Sequence, residues 1–508
     1  MDALVGYRRS SSIPTEAVLR VAVWCALLVV LSFTSADPDL WGHIRFGQDI
    51  LRDGNLHQVD TYSFASDRPW VNHEWGAEVL AALAFSIAGN AGLVVMKLLI
   101  LAPILLLLDT ELRREGITSP FSRDLACGSA IVVTLSQAHH VRPQLFSLLL
   151  FSLLLLCLLN ARRGSLRYLY VLPPMFAVWA NLHGGWIVGG GVVALWTFML
   201  LITNEQRLAL SCLAAGALSL LATLATPYGP GLWRFLRETI GFSRPEILEW
   251  QPVYVTGWPF VVLWIMALLI MFGGVFLERR DNLRLERLAV GLALAAASFK
   301  VARLLAFFGL ASVFLFAPAI ALAYQRRRAA RERRANRVVR FGFVALGCAV
   351  AFFAIAVVRD NFRQLRLDTM SMPDPQAVTV LASQPTGQRV LVWFNWGEYA
   401  IWHLQPRMQV SIDGRRETVY SDRLQTRHFD FFYDRPGGAT LPDDLAVDYI
   451  WIPRILPAAH RLHADSHWMT IYEGEQSVIF ARAGSGSNDR TPRIVAAATT
   501  APRFFPGP

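Results

Sequence analysis

The chain's densest run of groups able to do chemistry is Asp37-Pro38-Asp39-Leu40-Trp41-Gly42-His43, directly after the first long apolar run. A carboxylate in that place can act as the base that deprotonates an acceptor hydroxyl. Ionisable groups at a membrane boundary are costly to bury, so those that persist tend to mark function. Helix capping accounts for the same residues without chemistry, because Asp is a favoured N-cap and Pro38 suits the start of a new helix. Asn72-His73-Glu74-Trp75 offers an imidazole and a carboxylate for a sugar, a metal or a partner acid. It is not an HExxH motif, since residue 77 is Ala77. Its structural alternative is a helix start with an interfacial Trp75.

Further clusters follow. His139-His140-Val141-Arg142-Pro143 sets His140 and Arg142 between two apolar runs, and a guanidinium suits bidentate contact with phosphate. Adjacent histidines rarely share one metal geometry, so no metal is assigned there. Asn181-Leu182-His183-Gly184-Gly185-Trp186 brings His183 to glycines that permit close backbone approach, or forms a plain interhelical turn. The aromatic stretch 226–252 suits stacking on a sugar ring and carries the acid Glu249. Lys300 and Arg303 stand between two apolar runs; a lipid phosphate explains them, and so does snorkelling to phospholipid. Ser411-Ile412-Asp413-Gly414-Arg415-Arg416 reads as a strand-end turn.

The elements that must position these groups are membrane helices. Of 508 residues, 54% are hydrophobic and only 17% charged, against about 25% charged in soluble domains. Several apolar runs reach the roughly 20 residues that cross a bilayer. The net charge of +10 gathers as Arg in short links between those runs, which is the topology signal of a membrane protein rather than a nucleic-acid footprint. The five cysteines lie inside apolar runs, with no CxxC motif and no disulfide framework. Basic residues ahead of the first run resemble a signal peptide, but the run is long and lacks a small-residue cleavage site, so it is expected as a retained helix.

The expected fold is mainly α: a polytopic transmembrane bundle of about 11 spans over 1–358, with a small C-terminal α/β extracytoplasmic domain over 359–482 and a disordered tail over 483–508. Spans after the first outer loop (36–90) are expected near 91–109, 124–138, 143–160, 167–181, 185–203, 208–225, 257–276, 285–299, 303–324 and 339–358. Leu40 to Leu51 is expected as an amphipathic helix on the membrane surface. Residues 76–90 are open between a span and a helix of the outer loop. Placing the Arg-rich links inside puts the N-terminus in the cytoplasm and the C-terminal domain outside. It also collects the acidic loop, His140, Arg142, His183, Glu249, Lys300 and Arg303 on the outer side. There the last two and Arg142 run against the charge bias and call for an anionic partner.

This arrangement resembles the GT-C superfamily of integral membrane glycosyltransferases, of a bacterial type that uses polyprenyl-phosphate sugars. The resemblance is carried by DPDLWGHIRFGQDIL (37–51) with RPWVNHEW (68–75), by VRPQLFSLLLF (141–151) with WANLHGGW (179–186), and by NWGEYAIWHL (395–404) with SIDGRR (411–416). It implies a glycosyltransferase in the bacterial inner membrane that moves a sugar from a polyprenyl-phosphate carrier to a glycan, lipid or protein acceptor at the extracytoplasmic face, with inversion. By position, Asp39 is the first choice for the catalytic base and Asp37 the second. Arg142, Lys300 and Arg303 match the cations that hold the lipid phosphate, and His43, His73, Glu74, His140, His183 and Glu249 are the other expected substrate contacts. The oligosaccharyltransferase-type signature is absent, which speaks against protein N-glycosylation. A divalent metal is the one cofactor the resemblance leaves open, and no ligand set for it is evident. The rival readings are a flippase or transporter of lipid-linked glycans and a non-catalytic membrane assembly or sensor protein. No nucleic-acid partner is expected.

Overall fold

The computed structural model describes residues 15–239, 244–278, 284–329, 337–367, 372–484, 494–495 and 504–507. It is mainly helical, with one mixed sheet near the C-terminus. The apolar runs form α1 (Thr15–Ser32), α3 (Trp75–Arg114), α4 (Pro120–Ala138), α5 (Gln144–Arg162), α6 (Leu172–Leu182), α7 (Trp186–Ile202), α8 (Gln206–Ala222), α10 (Trp258–Leu277), α11 (Leu285–Lys300), α12 (Leu305–Ala329) and α13 (Arg337–Arg363). The polar links add α2 (Leu40–Asp53) and α9 (Pro230–Thr239). Among the described residues, the helices 75–114, 144–162, 258–277 and 302–327 are long and apolar enough to cross a membrane. Shorter apolar helices occupy 20–32, 186–202 and 206–222. The chain is thus a multi-pass membrane protein. Among the described residues, length and composition alone do not confirm about 11 spans, since several apolar helices have fewer than the roughly 20 residues a straight crossing needs.

The undecided segment 76–90 holds a sharp turn. Ala88 (φ −144°, ψ 20°) and Gly89 (φ 56°, ψ −135°) interrupt α3. A Cβ placed on Gly92 would lie 1.9 Å from the Ala84 carbonyl oxygen, so the chain doubles back on itself there.

The chain divides into two compact units. The first comprises 1–33, 101–139 and 248–361. In it α12 packs against α4, α10 and α11, and α1 packs against α4. The second comprises 34–100, 140–247 and 362–508, so the first outer loop, α5 to α9 and the C-terminal segment form one body. Its sheet has the order β4-β3-β5-β7-β6-β8, from β3 (Gln388–Val392), β4 (Met408–Val410), β5 (Tyr449–Pro453), β6 (Trp468–Glu473), β7 (Ser477–Arg482) and β8 (Ile494–Val495). β3 pairs in parallel with both β4 and β5, and β7 runs antiparallel to β5 and β6. Val390, Leu391, Val392, Ile450, Trp451 and Ile452 are all fully buried, the near-continuous apolar run expected of strands covered on both faces. After α14 (Pro375–Ala382), the helix expected near 396–404 is α15 (Gly397–Leu404). Further strand pairing joins two segments far apart in sequence: β1 (Ser35–Ala36) pairs in parallel with β2 (Arg366–Leu367).

The first outer loop is stitched to this sheet. Val410 N–H donates to the Tyr62 carbonyl and Phe64 N–H to the Val410 carbonyl, which extends the sheet beyond the edge strand β4 and satisfies its free backbone groups. The apolar face of α2 does not lie on a membrane surface, as its amphipathic pattern suggests. Leu40, Trp41 and Ile44 are fully buried, and α2 packs on α15. The pattern reports a buried face, and the sheet domain supplies the cover. Trp41 contacts Tyr399 at 5.3 Å and Phe505 at 5.0 Å between ring centroids, and its Nε1–H donates to the Pro506 carbonyl. The tail expected over 483–508 lies largely outside the described residues, but residues 504–507 are packed in this contact.

Trp41→Ala is expected to cost about 3–5 kcal/mol and to expose the sheet domain to proteolysis. Thermal unfolding and limited digestion of the purified protein check this, and wild-type behaviour in both would contradict the packing role.

Candidate active site

Three separately placed sequence segments converge in the second unit. Asp39 and Gly42 come from the start of α2, Gly397 and Glu398 from the start of α15, and Asp413 and Gly414 from the turn after β4. The Gly42 N–H donates to Glu398 Oε2 at 3.1 Å. A Cβ on Gly42 would stand 2.0 Å from that oxygen, and one on Gly414 would stand 2.3 Å from Asp39 Oδ1 and 2.9 Å from Glu398 Oε1. At both positions a carboxyl group occupies the space a side chain would take, so a larger residue would displace it.

The capping explanation of Asp39 fails. Asp39 holds the N-cap position of α2, but its side chain makes no capping hydrogen bond. Its carboxylate is turned instead toward the Gly414–Glu398 junction and is half-buried. Asp37 has a different task. It is buried and ion-paired with Arg142 through Oδ2, while Oδ1 has no hydrogen-bond partner. Burial opposes its ionisation, but the charges of Arg142, His140 and His43 prevail and hold its pKa below the ordinary value. His140 Nδ1 lies 3.2 Å from the Ser35 carbonyl, which can only accept, so Nδ1 carries the hydrogen.

His43 is the charged centre of the cluster. Its Nδ1 is 3.5 Å from Glu78 Oε1, and Glu78 is itself held by Asn72 Nδ2. Burial disfavours the imidazolium, yet Glu78, Glu74 and Asp39 outweigh it and raise the pKa to about 9. His43 is therefore a cation at neutral pH. Glu74 sits between two other histidines, with Oε1 3.6 Å from both His73 Nε2 and His183 Nε2. His183 has a fixed tautomer. The Gly185 N–H donates to its Nδ1 at 3.0 Å, and Trp179 Nε1–H donates to Ser147 Oγ, which leaves the Ser147 hydroxyl hydrogen for the same Nδ1 at 2.6 Å. Nε2 then carries the hydrogen and faces Glu74.

The turn after β4 does more than end a strand. Arg415 donates through Nη1 and Nη2 to both oxygens of Asp60 (2.8 and 2.9 Å) and through Nε and Nη2 to Asp413 (2.9 and 2.7 Å). Its guanidinium lies over the rings of Trp70, Phe46 and Tyr62 at 4.7, 4.9 and 5.2 Å. Arg416 is buried too, with Nε and Nη1 making no hydrogen bond, while Nη2 lies 3.6 Å from Glu246 and Nε 3.9 Å from Glu417.

No family model matches the chain, and no curated protein matches it by sequence. Among solved structures, ArnT from Cupriavidus metallidurans in the apo state matches with a TM-score of 0.53 and 12% identity, over 92% of this chain and 98% of that one. The same protein bound to undecaprenyl phosphate matches with a TM-score of 0.54 and 13% identity, again over 92% and 98%. The chain has the GT-C fold. The oligosaccharyltransferase of Archaeoglobus fulgidus is matched at a TM-score of 0.49 with 13% identity, over 92% of this chain and 74% of that one.

Within this GT-C fold the structure brings Asp37, Asp39, His43, His73, Glu74, His140, Arg142 and His183 into the second unit. Glu249, Lys300 and Arg303 belong to the first. There Arg303 is ion-paired with Glu249 at 2.5 Å and lies over the Trp250 ring, and Lys300 is exposed at the end of α11. Among the described residues, no group of three or more His, Cys, Asp or Glu is placed to hold a metal ion. The acids near Asp39 are engaged otherwise: Asp37 by Arg142, Asp413 by Arg415 and Tyr420, and Glu398 by the Gly42 N–H.

Sequence reasoning missed Glu398, Glu78 and Asp60. Glu398 carried a legible signal: positions 401 and 402, one helical turn on, are Ile and Trp, so an acid stands on the apolar face of a short helix with no basic residue one turn away.

Two outcomes follow. Arg415→Ala leaves Asp60 and Asp413 as uncompensated buried charges and is expected to cost about 3–5 kcal/mol in thermal unfolding; a loss near zero would contradict the clamp. His43 has a raised pKa in the folded state, so its contribution to stability is full below about 6.5 and is lost as pH rises through about 9. Melting temperature is expected to fall across that window in the wild type and to fall less in His43→Gln; identical profiles would contradict the assignment.

Proposed function

We propose that this protein is a glycosyltransferase that moves a sugar from a polyprenyl-phosphate carrier to an acceptor hydroxyl. The observation that carries the reading is Asp39: a carboxylate at an N-cap that does no capping, beside an imidazolium, His43, at a junction of the outer loop with the C-terminal sheet. The GT-C fold supports it, as does the undecaprenyl phosphate bound to the matched ArnT structure. The reaction faces away from the cytoplasm, with the N-terminus inside, the C-terminal domain outside and the protein in the bacterial inner membrane.

Asp39 accepts the proton of the acceptor hydroxyl. The oxygen forms its bond to the anomeric carbon as the bond from that carbon to the phosphate oxygen breaks, and polyprenyl phosphate departs with the electron pair. Direct displacement inverts the anomeric centre. Charge grows on the departing phosphate, and the preorganised cation of His43 stabilises it. Asp37 fixes Arg142 and with it the geometry of the 37–43 segment. His183, with its Nε2–H held toward Glu74, and His73 offer hydrogen bonds to sugar or acceptor hydroxyls.

The test is transfer of a labelled sugar from a polyprenyl-phosphate donor in membranes containing the protein. Asp39→Asn is expected to lower transfer at least about 100-fold while the protein still inserts and melts normally. Full activity in Asp39→Asn would remove Asp39 from the mechanism, and full activity in Asp37→Asn as well would remove the site.

A further inference from the structure

Glu398 has no role in the mechanism above, yet it meets Asp39 across Gly414, where a Cβ would lie 2.3 Å from Asp39 Oδ1 and 2.9 Å from Glu398 Oε1. It is 3% exposed. Its hydrogen-bond partner is a neutral backbone donor, Gly42 N–H, and no basic side chain among the described residues forms an ion pair with it. The charged groups that face it are Asp37 and Asp39 from the α1–α2 link, and Asp413 and Arg415 from the turn after β4. Three of the four are acids. The fourth, Arg415, is already shared between Asp413 and Asp60. A carboxylate buried among carboxylates without a counter-ion of its own is the setting in which one of them keeps its proton.

We propose that Glu398 is a neutral carboxylic acid that positions Asp39, presenting its O–H toward Asp39 across Gly414 while Oε2 accepts from the α2 N-terminus. This rests on the reading of Asp39 as the base and adds a positioning residue from the C-terminal domain. Burial and the charges of Asp39 and Asp413 push the Glu398 carboxyl well above the ordinary range, in keeping with the geometry. The neutral donor does two things. It holds the Asp39 side chain away from the capping position, and it favours the ionised form of Asp39, the form a base needs. The C-terminal domain is thereby part of the site, since α15 delivers the group.

The experiment uses the full chain in lipid nanodiscs and needs no substrate, so a failure of the glycosyl-transfer reading leaves its outcome intact. Infrared difference spectra are taken at pH 7 for the wild type, Glu398→Gln and Asp39→Asn. The amide of Glu398→Gln can still accept from Gly42 and donate toward Asp39, so this variant is expected to melt like the wild type. The wild type is expected to show the C=O stretch of a protonated carboxylic acid that is lost in Glu398→Gln and displaced in Asp39→Asn. If Glu398→Gln melts differently, Glu398→Ala, which removes the carboxyl without adding a polar group, is subtracted from the wild type in its place and is expected to lose the same band. Absence of any protonated-carboxyl band assignable to Glu398 would overturn its neutrality, and a band unmoved by Asp39→Asn would overturn its link to Asp39.

Discussion

The structure of the site depends on one buried ion-pair cluster. Arg415 holds both oxygens of Asp60 in the first outer loop while it holds Asp413 at the end of β4. Both acids are fully buried, and the guanidinium is packed in a box of Phe46, Tyr62 and Trp70. A cluster of this kind gives little net stability compared with apolar packing, but it is highly specific: removing any member leaves a charge stranded. Its consequence is registration. The loop after Asp60 pairs with β4, the helix before it lies on α15, and Asp39 is left at the point where the three segments meet.

That registration explains why glycine recurs at the junction. Gly42 and Gly414 each cede the volume of a side chain to a carboxyl oxygen. The result is an acidic cluster with one strongly favoured cation, His43, rather than a cluster of free arginines. The arginines close to it are spent on structure: Arg142 on Asp37, Arg415 on Asp60 and Asp413. Charge that can respond to a ligand therefore resides on imidazole and carboxyl groups.

Much of this was legible in the sequence. The apolar runs and Arg-rich links gave the helices and the multi-pass character, since a bilayer span needs length and apolarity and little else. The motif at 37–43 and the histidines at 73, 140 and 183 pointed to residues that the fold does bring into one unit. What could not be read was pairing over long separations. Nothing local in Asp60 or Asp413 says that one arginine will bind both, and the amphipathic pattern of 40–53 is the same whether lipid or α15 covers it. Arg142, Lys300 and Arg303 looked alike as orphan cations at a boundary; the structure gives Arg142 and Arg303 acidic partners of their own. The capping reading of Asp39 falls on a hydrogen bond that is not made, which the local sequence cannot show.

The proposed reaction requires a polyprenyl phosphate to bind beside Asp39. A cryo-electron microscopy structure of the full chain in lipid with an added polyprenyl phosphate tests it most directly. The account predicts head-group density against His43, with the Asp39 carboxylate facing the same space at the roughly 3 Å reach of proton transfer. Head-group density elsewhere, with the Asp39–Glu398 junction closed and unchanged, would contradict it.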